Sequence, residues 1–314
     1  MLMPTVRRFS DTGSRWTVED PDTLADRIRA HARHMTSAAG RAAREAEGVG
    51  AGAEEDRRAS TFLGAALSSA EQVAAIFTTA RPGRDRLVCS PAHYVIGPYA
   101  AAVAVGLLDR SALTEYGTDG SPVEAIGSER SPVVDYTCGS PGQGLSAAAG
   151  YALADRIHGR DARTFTLMCE EETAEGQVWE AARFTADHGL CNVTVVLDAP
   201  SAPAAGTTPD PLAAPWRSFG WRTAQVDGHD PTAVREALAA ALRETDGPTA
   251  VICRTSPGRR PEDGRHAGDG RHAGDGRRAG DGRRARDGRH AGAGRLPGDG
   301  RQPGDGRQPG DGHA

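Results

Sequence analysis

The chain has no lysine; all 37 of its basic residues are arginine. That absence excludes a Schiff-base lysine and the lysine of a phosphate-binding P-loop. Cysteine is scarce too. Cys89, Cys138, Cys169, Cys191 and Cys253 are scattered with no C-x-x-C pair, which argues against a disulfide framework and against a zinc site. No apolar run approaches the ~18 residues of a membrane span. The N-terminal MLMPTVRRFSDTGSR lacks the apolar stretch of a signal peptide. Together these absences predict a soluble, cytoplasmic protein with no membrane contact.

Apolar residues are also few, at 38%, and the deficit lies mainly in the C-terminal region, so the rest can still bury a core. From Gly264 a hexapeptide repeats: GRHAGD twice, then GRRAGD, GRRARD, GRHAGA, GRLPGD and GRQPGD twice. Such a segment has almost nothing to bury, so residues 259–314 are expected to be a disordered, low-complexity tail. Residues 264–314 hold 11 Arg and 7 Asp, a surplus of four positive charges, which leaves −9 on residues 1–263 of a chain with net charge −5. An acidic body and a tail without aromatic residues argue against a nucleic-acid partner.

Residues 1–60 read as a loose lead, a helix over 21–34 capped by Asp20, and a polar, partly helical exposed insert over 35–60. A helix is expected over 69–80. From Arg84 onward strands and helices alternate. Strands are predicted at 86–90, 164–170, 193–198, 222–227 and 249–255. Helices are predicted at 97–108, 142–158, 175–189 and after Asp230-Pro231. The helix over 142–158 carries Leu145, Ala148, Ala149, Ala152, Leu153 and Ile157 on one stripe. Alternating elements and the continuous apolar run VTVVLD predict an α/β fold, a doubly wound parallel sheet covered on both faces.

Two strings stand out: Gly139-Ser140-Pro141-Gly142-Gln143-Gly144 and, further on, Glu175-Gly176-Gln177-Val178-Trp179-Glu180. The first enters a helix through three glycines, which suits close backbone approach to a ligand but equally a tight turn. Together with DRLVCSPAHY (85–94) and WRSFGWRTAQVDGHD (216–230), they resemble the thiamine-diphosphate half of a transketolase. The resemblance runs over about residues 60–258. It implies the pyrophosphate-binding domain at 61–258, with thiamine diphosphate and Mg²⁺ as cofactors. The family's pyrimidine-binding and C-terminal domains have no counterpart here. The implied partner is therefore a transketolase C-terminal-type subunit, in a heterotetramer acting on a small-molecule substrate.

Carried over by position, His93 lies near the cofactor diphosphate and the reacting carbonyl. Gly139 faces the aminopyrimidine through its backbone and Pro141 stands where the family usually has a leucine against the same ring, with Ser140 between them also counted as cofactor-binding. Glu175 and Glu180 match two glutamates that link the paired active sites across the subunit interface. The family's metal-diphosphate motif falls on Cys169-Glu170-Glu171, with its asparagine at Pro200. Glu170 keeps a metal-seeking carboxylate one methylene longer. Glu171 puts a negative charge where a glycine meets the diphosphate, and Pro200 brings no side-chain oxygen. A family histidine that holds sugar substrates falls on Phe62. Two readings follow. One is the pyrophosphate-domain subunit of an enzyme transferring a two-carbon ketol unit. The other is a non-catalytic partner that keeps the fold and interface but binds Mg-thiamine diphosphate poorly. A 2-oxo-acid dehydrogenase subunit is a third, less well matched to EGQVWEAA.

Overall fold

A computed structural model describes residues 8–11, 16, 20–47, 52–200 and 211–256. The repeat tail lies outside these residues. Six strands form one sheet in the order β2-β1-β3-β4-β6-β5, and every pairing is parallel. They are β1 (Arg86–Pro91), β2 (Tyr136–Cys138), β3 (Thr164–Cys169), β4 (Val193–Ala199), β5 (Arg222–Asp227) and β6 (Thr249–Arg254). The chain leaves β1 toward β2 and returns past it to β3, so the order reverses beside β1. This is the doubly wound α/β arrangement predicted from the alternation of elements.

The strand period explains how both faces are filled. Along β4, Val193, Val195, Leu197 and Ala199 point into one layer and Val196 into the other. The first layer is closed by α6 (Gln143–Ile157), α7 (Gly176–Asp187) and α8 (Ala213–Ser218), around Trp216 and Trp221. The second is closed by α1 (Pro21–Glu47), α3 (Ala70–Thr79), α4 (Ile96–Ala104) and α9 (Pro231–Arg243), while α2 (Gly52–Ser68) and the short α5 (Ala112–Glu115) pack on α1. Asp230 caps α9, its carboxylate accepting the Ala233 N–H, with Pro231 at the first helical position. Among the described residues no helix is long and apolar enough to cross a membrane.

Three local expectations are corrected. The described residues of the N-terminal lead are not loose: Phe9 and Trp16 are buried on Phe77, and the Trp16 indole donates to the Phe77 carbonyl at 3.0 Å. Two large rings bury enough apolar area to fix a segment with little regular structure. The segment 35–60 is helical, as partly expected, but not simply exposed: α1 continues through Glu47 and α2 begins at Gly52, and Met35, Thr36 and Ala38 on α1 are buried. Its alanines favour helix, and small side chains suffice because α4 presents Ala100, Ala101 and Ala102. Ile157 is 70% exposed, although the expected stripe included it. Each four-residue step turns a helical side chain by about 40°. By Ile157, three steps from Leu145, the direction has left the buried face.

Candidate functional site

One cavity of about 1070 Å³ runs along the carboxyl ends of the sheet, where an open α/β fold presents its loops to ligands. Each strand delivers residues to it. Pro91 ends β1 and His93 follows it, Gly139 and Pro141 follow β2, and Glu171 and Glu175 follow β3. Asp198 lies near the end of β4 and Pro200 follows it, His229 follows β5, and Thr255 follows β6. Helices α1 and α2 add Arg29, Arg33 and Phe62. His93, Gly139, Pro141, Glu171 and Glu175, singled out from sequence, therefore share one cavity with Pro200. Ser140, Glu170 and Glu180 do not line it. Ser140 and Glu180 are exposed, and Glu170 opens the 3₁₀ turn Glu170–Ala174.

The shelf carrying Gly139 and Pro141 is held by a carboxylate that sequence reasoning did not single out. Glu172 is buried, and its Oε1 accepts from the Ser90 hydroxyl at 2.6 Å and the Gly142 N–H at 2.8 Å. Its Oε2 accepts from the Cys169 N–H at 3.2 Å. One side chain thus ties together the ends of β1 and β3 and the entry to α6. Burial raises the Glu172 pKa against the pull of these hydrogen bonds. Two glycines make the fit possible. Gly142 adopts φ +83°, and a Cβ on Gly144 would lie 2.7 Å from the Ser90 Cα. The signal available in the sequence was that Glu172 follows directly on the motif position at Glu171.

A second unforeseen carboxylate, Asp198, is buried at the end of β4 and fully partnered by neutral donors. Its Oδ2 accepts from Ser68 at 2.6 Å and Tyr94 at 2.9 Å, its Oδ1 from Thr255 at 2.7 Å and Gln72 at 3.2 Å. Four donors thus satisfy a buried carboxyl group that has no basic side chain bonded to it. Nearby, Arg29 is buried and bonds both Glu71 and Asp26. Glu71 Oε1 lies 3.7 Å from His229 Nδ1, while His229 Nε2 accepts the Ser256 N–H at 2.9 Å. The His93 ring sits between Phe62, stacked at 6.1 Å, and Tyr94, edge-on at 5.0 Å. Burial lowers its pKa, opposed by the charge of Glu171, so the imidazole is neutral near pH 7.

The residues present fit the two ends of a metal-bound diphosphate cofactor unequally. On the β2 side, a Cβ built on Gly139 meets nothing within 4 Å, so the backbone there is open to a ligand. On the β3–β4 side, Glu171 lines the cavity with a carboxylate and Pro200 with a pyrrolidine ring. Among the described residues no group of three or more His, Cys, Asp or Glu could hold a metal ion. A ring at Pro200 and a second negative charge at Glu171 fit a Mg²⁺-bound diphosphate poorly, since Mg²⁺ takes hard oxygen ligands in near-octahedral array, one or two of them protein carboxylates.

The family described as transketolase, thiamine diphosphate binding domain, matches residues 59–277. Transketolase-like protein 2 from Bos taurus is 32% identical over an alignment of 258 residues that covers 77% of this chain and 38% of that relative. The 6-deoxy-6-sulfo-D-fructose transketolase subunit SqwG of Clostridium sp. (strain MSTE9) is 31% identical over 212 residues, covering 63% of this chain and 77% of the relative. Among solved structures, transketolase from Leishmania mexicana superposes with a TM-score of 0.61 at 20% identity, over 76% of this chain and 37% of that one, which shows the shared fold. The match thus spans less than half of a full-length relative and most of a subunit. With the parallel sheet and the cavity along its carboxyl ends, this establishes that the chain belongs to the transketolase family, as its thiamine-diphosphate-binding domain.

Proposed function

We propose that the chain is the thiamine-diphosphate-domain subunit of a two-chain, transketolase-like enzyme that transfers a two-carbon ketol unit. The observation that carries this reading is the convergence of His93, Gly139 and Glu175 on one cavity at the carboxyl ends of the sheet. When bound, thiamine diphosphate supplies the carbanion chemistry that breaks and makes carbon–carbon bonds. This chain's share is positioning. The open backbone at Gly139 would hold the cofactor. The neutral His93 imidazole, held between two rings, offers a hydrogen bond to a reacting oxygen. Glu175 and Glu180, both exposed, are assigned to contact with the partner subunit. That partner is a chain with the pyrimidine-binding and C-terminal domains, and the assembly a heterotetramer.

A second reading is favoured by one specific observation, the presence of Glu171 and Pro200 at the end of the cavity where a metal and diphosphate would lie. On that reading the chain keeps the fold and the interface and leaves catalysis to other subunits. Assays with ketose donors and aldose acceptors separate the proposals. The chain alone should give no transfer, and turnover by it alone would overturn the two-chain reading. Transfer by the chain mixed with its partner subunit supports the catalytic reading. A mixture that associates but stays inert supports the non-catalytic one.

A further inference from the structure

The imidazole of His93 lies in a slot between two rings. Tyr94 stands edge-on to it, with centroids 5.0 Å apart and planes at 75°, and Phe62 stacks on it at 6.1 Å with planes at 29°. Aromatic walls in these arrangements favour one tilt of the ring between them. Both walls are tied to a single atom. Oδ2 of Asp198 accepts the Tyr94 hydroxyl at 2.9 Å and the Ser68 hydroxyl at 2.6 Å. Tyr94 is itself one wall, and Ser68 is the last residue of α2, the helix that carries Phe62, the other. The second oxygen is held from behind. Oδ1 accepts from Thr255 at 2.7 Å and Gln72 at 3.2 Å, and both of these residues are buried. Asp198 itself stands on β4 between Cys169 of β3 and Cys253 of β6, in the middle of the sheet. A carboxylate gripped through one oxygen by the scaffold passes that rigidity on through the other. Its charge is not the lever, because the charged group that acts on the imidazole is Glu171, on the turn after β3.

We infer that Asp198 is a positioning residue, which fixes the His93 imidazole by tying Tyr94 and α2 to the centre of the sheet through Oδ2. The use of that imidazole in ketol transfer rests on the transketolase-like reading; the way it is held does not.

The test is NMR of the full chain labelled at histidine, with the His93 signals identified by their loss in His93→Gln. Combining Tyr94→Phe with Ser68→Ala leaves both rings and the carboxylate in place and cuts only the bonds to Oδ2. The His93 ring protons should then lose their ring-current shifts and their Overhauser contacts to Phe62 and to the ring at position 94. The His93 titration midpoint should rise toward the ordinary ~6.5 as water enters the slot. Asp198→Ala should act in the same way, and Asp198→Asn, which keeps a carbonyl oxygen for the two hydroxyls, should restore most of the parent pattern. Circular dichroism melting of each variant establishes that it is folded. A folded double variant with the parent's His93 signals overturns the inference. An Asp198→Asn chain that displaces those signals as far as Asp198→Ala also overturns it, since charge and not bonding would then control the ring. Neither result touches the transketolase-like reading, because these spectra need no turnover. With the partner subunit in a transfer assay, the double variant should lower kcat by about tenfold or more with donor KM little changed. An unchanged kcat overturns the positioning role, whereas an inert parent counts against the transketolase-like reading and leaves the NMR result to decide the inference.

Discussion

Glu172 shows what a single side chain does at the floor of the cavity. It accepts from Ser90, Gly142 and Cys169 while almost wholly buried. Glu172→Ala strands these donors without water, and at ~1–3 kcal/mol for a buried unsatisfied group the loss should be about 3 kcal/mol or more by urea denaturation. Glu172→Gln keeps the bonds to one oxygen and should lose less. The two carboxyl forms also differ in sign with pH. Burial raises the folded pKa of Glu172 above its unfolded value, so its contribution is full below the unfolded pKa and is lost as pH climbs through the higher folded one. The stability of wild type relative to Glu172→Gln should therefore fall across that interval, and a constant difference would contradict the account. His93 behaves in the opposite sense, since burial lowers its pKa while Glu171 raises it. By NMR its midpoint should lie below the ordinary ~6.5. Glu171→Gln should lower it further, because an anion that favours the imidazolium is removed. A rise in that variant would show that Glu171 does not face the ring.

At the level of elements, the loop from β2 into α6 is the part whose shape is most tightly specified. Gly144 lets α6 lie against Ser90, with no room for a methyl group, whereas Gly139 faces open space. Gly144→Ala should destabilise the protein by about 1–3 kcal/mol, the usual range for overpacking. Gly139→Ala should leave stability nearly unchanged in the same denaturation series. Equal effects would mean that the loop is not gripped as described. This loop was legible in the sequence because three glycines punctuate it. The buried strand VTVVLD and the Asp230-Pro231 start of α9 were legible for similar reasons, through β-branched residues and a side-chain cap. What escaped was long-range. Nothing near Glu172 or Asp198 announces partners on distant elements, and Phe9 and Trp16 gain their place only from Phe77. Strand β2 has three residues, too few to show alternation. The continuation of α1 was hidden because alanine packing replaces the large apolar residues that a periodic pattern relies on.

Across the molecule, the fold belongs to a transketolase thiamine-diphosphate domain, and on the proposed reading the metal-diphosphate end of the cavity has changed its chemistry. Glu171 and Pro200 line the cavity, one with a negative charge and the other with no side-chain oxygen. The whole chain should thus combine an intact scaffold with weak cofactor affinity, and the weakness should trace to a few side chains. Thiamine diphosphate titrated calorimetrically at fixed Mg²⁺, into wild type and into the triple variant Glu170→Asp, Glu171→Gly, Pro200→Asn, each with the partner subunit, tests this most directly. The account predicts weak binding by wild type and clearly tighter binding by the variant, in which a short carboxylate, an uncharged backbone and an amide oxygen are restored. Tight binding by wild type, with no gain in the variant, would contradict it.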